Sequence, residues 1–291
     1  MRLARLVNGT PLACLAPTTR QGGYCEALRP AAQRMTDAPY APARRFGAGF
    51  DRRRVQRHLA RPARVRLEKP VISFTFDDFP KSSVARGAQI LEAVGGRGTW
   101  YASSAFAGQS TQYGAMFDAA DVARLTGAGH EIGCHTFAHV DCAHSPADDV
   151  FADMVRNAEA LAEMGMEERL VSFAYPYGET SIALKDALPS RFTTARGTTP
   201  GVAHGRIDMA QLPANALFGE DAQKRALKLL EQARRRNGWV IFYTHDVSSR
   251  PTAWGSSTGL LERVATAAYA TGIEMAPVRD VAARILEKAD A

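Results

Sequence analysis

The chain has no apolar run approaching the ~20 residues needed to span a bilayer as a helix, which excludes a bundle of transmembrane helices. Cysteine is scarce. Cys14, Cys25, Cys134 and Cys142 show neither CxxC nor zinc-finger spacing, and four cysteines do not make a disulfide scaffold in a chain of 291 residues. Cys134 and Cys142 read as small buried thiols. No internal repeat or low-complexity segment is present, which excludes a solenoid. The N-terminus lacks an unbroken apolar stretch: Asn8-Gly-Thr-Pro11 interrupts it after Arg2 and Arg5, so no signal peptide is expected. Residues 1–34 look compositionally arbitrary, and Met35 is a second candidate start. These readings lead to an expected cytoplasmic location, with the inner face of the membrane as a variant of it.

What is present is ordinary for a soluble globular protein: 46% hydrophobic and 23% charged residues. The length suits one large domain with an extension. The net charge of +6 is unevenly spread. Residues 41–69 hold ten Lys/Arg and two Asp/Glu, a local +8, so the remainder carries −2. The basic character thus belongs to an N-terminal arm. Residues 1–69 are expected to form a basic, partly disordered extension, with one short amphipathic helix within 46–67, and 70–291 a catalytic domain. The domain offers no basic stripe with interleaved aromatics, so nucleic acid is not an expected partner. The arm would suit anionic lipid headgroups, at about 1 kcal/mol per Lys/Arg near the surface.

From Val71 onward, strand and helix signals alternate. Val71–Phe76 is β-branched and aromatic and reads as a buried strand; Ser82–Val94 follows as a helix stopped by Gly95-Gly96. Further strands are predicted at 98–102, 130–133, 170–174, 239–243 and 273–275, with weaker signals at 192–195 and 211–212. Helices are predicted at 118–128, from Ser145-Pro146 to Met164, after Glu179, and at 220–236, 260–270 and 278–288. Alternating units of this kind imply a mostly parallel sheet covered on both faces, either doubly wound or closed as a barrel.

Two features carry chemistry. Asp77 and Asp78 end the first strand just before Phe79-Pro80, a poor place for core packing and the rim where α/β barrels keep catalytic groups. A His-x-x-x-His pair, His135 and His139, comes later. One carboxylate and two imidazoles make a three-ligand set with open metal positions, and the other carboxylate is free to act as a base. Successive residues of an ideal strand point to opposite faces, so the strand must end or bulge at this pair.

The segment VISFTFDDFP at 71–80 resembles the opening motif of the polysaccharide deacetylases with a NodB-type domain, carbohydrate esterase family 4. Gly129-His-Glu-Ile-Gly-Cys-His135-Thr-Phe-Ala-His139 resembles their metal-binding motif. Phe173-Ala-Tyr-Pro-Tyr177-Gly178 resembles their third motif, and Val240-Ile-Phe-Tyr-Thr-His245-Asp246 their last. The ordered set spans about 71–284. The resemblance implies a distorted, incomplete (β/α)7-type barrel and hydrolysis of N-acetyl groups on N-acetylhexosamine residues of a surface polysaccharide or its lipid-linked precursor. It implies a divalent metal, with zinc as the default on ligand type, held by Asp78, His135 and His139. Asp77 is then the general base and His245 the general acid. Asp208 or Asp246 would fix the tautomer of His245, with Asp208 favoured by the family pattern, and the backbone N–H of Tyr177 would serve the oxyanion.

Two departures accompany the match. Many members carry, where this chain has Ala174, an arginine that orients the catalytic aspartate. The fourth motif's usual aspartate and tryptophan are met here only by Arg206-Ile-Asp208-Met, without tryptophan. These departures keep two other readings in view. One is an amide hydrolase acting on a small or formylated substrate. The other is a glycan-binding relic that keeps its metal without catalysis. Trp254, in a Gly/Ser/Pro-rich loop after His245, is a candidate sugar contact.

Overall fold

The computed structural model describes residues 48–288, so Cys14, Cys25, the N-terminal signal reading and most of the expected arm lie outside the described residues. In chain order the elements are α1 (Ala48–Arg57), β1 (Pro62–Val65), β2 (Val71–Asp77), a π-wound segment (Ser83–Ala88) running into α2 (Gln89–Ala93), and β3 (Thr99–Ala102). A small hairpin follows, β4 (Ser110–Thr111) and β5 (Gly114–Ala115). Then come α3 (Ala119–Gly127), β6 (Glu131–Cys134), α4 (Ala147–Glu163), β7 (Ser172–Ala174), α5 (Ile182–Ala187), β8 (Thr194–Arg196), β9 (Gly205–Asp208) and β10 (Asn215–Ala216). The chain closes with α6 (Ala222–Arg236), β11 (Trp239–Thr244), β12 (Val247–Ser248), β13 (Ser256–Ser257), α7 (Thr258–Ala270), β14 (Glu274–Met275) and α8 (Val278–Glu287).

Seven strands run β10-β11-β2-β3-β6-β7-β8, and β14 adds to the first half of β2. Every pairing in this sheet is parallel. It is the curled sheet of an incomplete (β/α)7 barrel. The alternation along β2 sorts its side chains. Ile72, Phe74 and Phe76 join Val240 and Phe242 of β11 under the helices, while Val71, Trp239 and Ile241 form a second cluster closed by α8. On that second face lie Ser73, Thr75 and Asp77. Trp100 and Trp239 are both fully buried, as core residues. Glu131 ties the bottom of the barrel together, accepting from Thr99 Oγ1, Ser172 Oγ and the backbone N–H of Arg279 at the start of α8.

The helix starts follow local chemistry. Asp118 caps α3, and Asp121 answers as the other half of a capping box. Pro146 stands as the N-cap of α4, one position before the expected first turn. Residues 48–65, expected within the extension, form α1 and β1, and β1 pairs antiparallel with β9 from Pro62↔Asp208 to Val65↔Gly205. Lys185 holds this segment. Its fully buried ammonium donates to the carbonyls of Val55 (2.9 Å) and His58 (2.6 Å) and to Gln211 Oε1 (2.8 Å), and pairs with Asp208 Oδ2 (2.9 Å). Replacing Lys185 by Met should therefore lower unfolding stability by about 3–5 kcal/mol, because one side of a buried charge pair is left alone. Urea denaturation of parent and variant measures it; a loss under about 1 kcal/mol would mean that water already serves this ammonium.

Candidate active site

A parallel sheet places the carboxyl ends of its strands on one rim. Asp77 ends β2, His135 follows β6, Ala174 ends β7, Arg196 ends β8 and His245 follows β11. The strand does end where the sequence requires it to. Asp77 keeps its strand conformation, whereas Asp78 and Phe79 take left-handed backbone, φ 60° and 67°. That turn swings Asp78 toward the same side as Asp77. Thr136, His139 and Tyr177 share the left-handed conformation at φ 61°, 54° and 60°. Non-glycine residues held there cost on the order of 1–3 kcal/mol each and gather where function demands them.

Asp78, His135 and His139 converge, with one ligand atom from each lying within 4.8 Å of the others. Asp78 Oδ1 is 3.7 Å from His135 Nε2 and 3.4 Å from His139 Nε2. His135 Nδ1–H donates to the Ala174 carbonyl at 2.8 Å, which leaves Nε2 as the free lone pair. Asp78 Oδ1 is buried and has no hydrogen-bond partner among the described residues. A buried carboxylate oxygen without a donor, facing two imidazole nitrogens, is the donor set a divalent cation fits. Two nitrogens and one oxygen suit zinc and several other divalent ions alike.

Burial, then the neighbouring His139, lowers His135 to about 4; burial, then His245, lowers His139 to about 4. Burial raises Asp78 above the usual carboxylate range. Asp77 behaves differently. Burial pushes it up, but the Arg196 guanidinium, with His135 and His245, outweighs burial and holds it below its ordinary value. Arg196 is itself buried, pairs directly with Asp77, and lies over the rings of Tyr101 and Tyr243.

Arg196 is the residue that sequence reasoning missed. Ala174 and Arg196 are register partners on adjacent strands, so the guanidinium absent at Ala174 reaches Asp77 from the next strand. The signal was slight: one arginine at the tip of a weak apolar strand. Tyr113 was missed too. It sits on the β4–β5 hairpin, and its ring stacks on His245 at 4.7 Å and 19°.

His245 lies at the rim, with Nε2 3.9 Å from Asp78 Oδ2 and Nδ1 3.1 Å from the Trp254 carbonyl. That carbonyl takes Nδ1–H, the place foreseen for an aspartate. Asp208 is not brought to His245. Its carboxylate accepts from the backbone N–H of Ala60, Arg61 and Ala210 and pairs with Lys185. Asp246 is taken up by the N–H and hydroxyl of Thr252. Tyr177 does reach the site, its ring edge-on to His139 at 4.5 Å. Trp254 is exposed at the rim, packed against Phe218. His58, His130, His144 and His204 bind Asp186, Glu92, Asp141 and Arg236 and take no part in the cluster.

Residues 64–190 match the family described as polysaccharide deacetylase. Over this segment, 127 of its 291 residues, the chain is similar to that family. Asp77, Asp78, His135, His139 and Tyr177 lie inside the matched segment, and Arg196 and His245 lie beyond it. Solved structures share the fold. A protein from Mycobacterium smegmatis, provisionally assigned as a polysaccharide deacetylase, is 17% identical, with 79% of this chain and 96% of that one covered and a TM-score of 0.60. Peptidoglycan deacetylase PdaC from Bacillus subtilis is 14% identical over 78% of this chain and 96% of its own, TM-score 0.51. The family pseudoenzyme BA3943 from Bacillus anthracis is 15% identical over 76% and 68%, TM-score 0.51. Among curated proteins none matches this chain in sequence.

The imidazoles give the metal-free protein a pH signature. An unfolded chain keeps histidine near 6.5, so between that value and about 4 it binds more protons than the fold does. Stability should then fall as pH drops through this window. Raised Asp78 acts in the opposite sense, so the comparison is between parent and His139→Gln, both in chelator. The urea midpoint should fall less in the variant between pH 7 and 5; equal falls would assign the dependence to other groups.

Proposed function

We propose that this chain is a metal-dependent hydrolase that removes N-acetyl groups from N-acetylhexosamine residues of a cell-surface polysaccharide or its lipid-linked precursor. The observation that carries this reading is the orphaned Asp78 oxygen facing two neutral imidazoles, one residue from a carboxylate held ionised by Arg196. A divalent ion bound by Asp78, His135 and His139 would supply Lewis-acid activation of water and of the amide carbonyl. Zinc is the first choice for it.

The protein's own groups divide the remaining work. Asp77, ionised through neutral pH, accepts a proton from the attacking water. Arg196 fixes the direction of that carboxylate and balances its charge. His245, acting in its doubly protonated form with Nδ1–H on the Trp254 carbonyl, presents Nε2–H toward the site and delivers that proton to the leaving nitrogen. Tyr177 and Trp254 flank the cluster, where a sugar ring would pack. The relic reading rested on Ala174, and Arg196 removes that motive. Among the described residues no helix is long and apolar enough to cross a membrane. A lipid-linked substrate would be met through peripheral contact by the basic arm.

Acetate release from N-acetylglucosamine oligomers, with metal content measured on the same samples, tests the proposal. Asp77→Asn and Arg196→Ala should each retain metal and lose roughly 10²–10⁴-fold in kcat, whereas Asp78→Asn should lose metal. Moving the guanidinium back, in Arg196→Ala combined with Ala174→Arg, should restore part of the lost rate, because the two positions are register partners. Near-parental turnover of Asp77→Asn at saturating metal would put the base elsewhere.

A further inference from the structure

A concavity of about 380 Å³ lies near the candidate metal ligands, between α1, the turn after Tyr177 and the segment after Arg196. We propose that it is a subsite for a neutral, hydroxyl-rich sugar residue, a neighbour in the glycan of the one that loses its acetyl group; this rests on the deacetylase reading above. Its volume falls in the range of small-ligand sites, about 300–1,000 Å³.

Position argues for it first. Gly178 lines the groove and directly follows Tyr177, whose ring touches His139; His144, five residues beyond His139, lines it as well. Gly178 has φ 75°, and a Cβ there would stand 2.2 Å from Thr198 Oγ1, so this wall is drawn in against the loop after β8. The groove therefore opens where the candidate catalytic loops end.

Chemistry argues next. The lining mixes acceptors and donors, with the Glu179 carboxylate, the Gln56 and Gln211 amides and the hydroxyls of Thr180 and Thr199. A sugar hydroxyl both donates and accepts, and matches such a set. Arg52 and Arg54 lie in the wall, but so do Asp51 and Glu179, and Glu179 pairs with Arg52 at 2.5 Å. The positive charge is balanced, which favours a neutral sugar over a phosphate.

The wall is also held in place before any ligand arrives. Gln56 Nε2 donates to Thr199 Oγ1 at 3.1 Å across the groove. Lys185 ties the carbonyls of Val55 and His58, at the end of α1, to Gln211. A preformed site loses less to ordering on binding. Helix α1, outside the family match, thus takes a part in substrate selection.

The test uses the full chain with the dimer and tetramer of N-acetylglucosamine. Thr199 is exposed, so Thr199→Trp should fold and fill the groove; a thermal melt checks this. The ratio of kcat/KM for tetramer over dimer should fall about ten-fold, through KM, and Gln56→Ala should lower it less in the same direction. A ratio within about two-fold of the parent in both variants overturns the proposal. Binding of the same oligomers, followed by saturation-transfer NMR, is the second readout. Thr199→Trp should weaken the tetramer about ten-fold. If the parent releases acetate from neither oligomer, the deacetylase reading fails while binding still decides the groove: tetramer binding that is absent in the parent, or unaltered by Thr199→Trp, overturns the subsite.

Discussion

The ion pair between Asp77 and Arg196 is the constraint around which the rim is organised. Asp77 and Asp78 are adjacent, both buried, and both would be anionic at neutral pH in water. Two bare carboxylates cannot be kept side by side out of water without cations. Arg196 answers for Asp77 and holds it ionised. Among the described residues nothing comparable answers for Asp78, whose carboxyl burial raises and whose Oδ1 has no donor. The histidines beside it are held neutral, so they offer lone pairs and no charge. A cation bound to Asp78 and the two imidazoles, as proposed above, would close the charge balance of the cluster. In the proposed function the same imbalance would give the two aspartates different work, one as a proton acceptor with a fixed counter-ion, the other as a ligand.

Backbone strain makes this division possible. In regular strand geometry Asp77 and Asp78 would face opposite sides of the sheet. The left-handed turn at Asp78 and Phe79 breaks that alternation, at a cost that the stacked Phe79 and Phe117 rings (4.2 Å) help to offset. His139 and Tyr177 pay a similar conformational penalty and meet edge to face. Barrel strands supply the coarse aim, and these local departures supply the last few ångströms.

Much of this was legible in the sequence, because the deciding signals are local. Runs such as Val71–Phe76 and Trp239–Tyr243 bury on both faces and can hardly be anything but central parallel strands. Asp118 and Asp121 mark a helix start by their own hydrogen bonds. The ligand motif lies within the single segment 135–139. What was not legible depends on which strand lies beside which. The register that sets Arg196 next to Ala174 is a tertiary fact, and β8 is three residues long, too short for a period. The two-residue strands of the β4–β5 hairpin hid Tyr113 in the same way. Basic composition placed 48–65 in a partly disordered extension with one short helix; α1 is that helix, but its docking was not legible, because it depends on the buried Lys185 ammonium that takes up the carbonyls at the end of α1 and on the pairing of β1 with β9.

Asp208 shows how one residue's role depends on what docks beside it. By sequence it stands for an acidic group that would orient the general acid. In the structure it accepts from the N–H groups of Ala60 and Arg61 and pairs with Lys185, while a main-chain carbonyl from the Trp254 loop orients His245. A carbonyl fixes the tautomer of an imidazole as a carboxylate would, without adding negative charge beside Asp77 and Asp78. In a cluster that already holds two buried carboxylates, that substitution avoids a third. It also frees Asp208 to anchor the segment whose helix forms one wall of the groove beside Tyr177. The missing arginine at Ala174 and the displaced aspartate are thus one pattern: each charge is retained, and each is supplied from, or directed to, the neighbouring element.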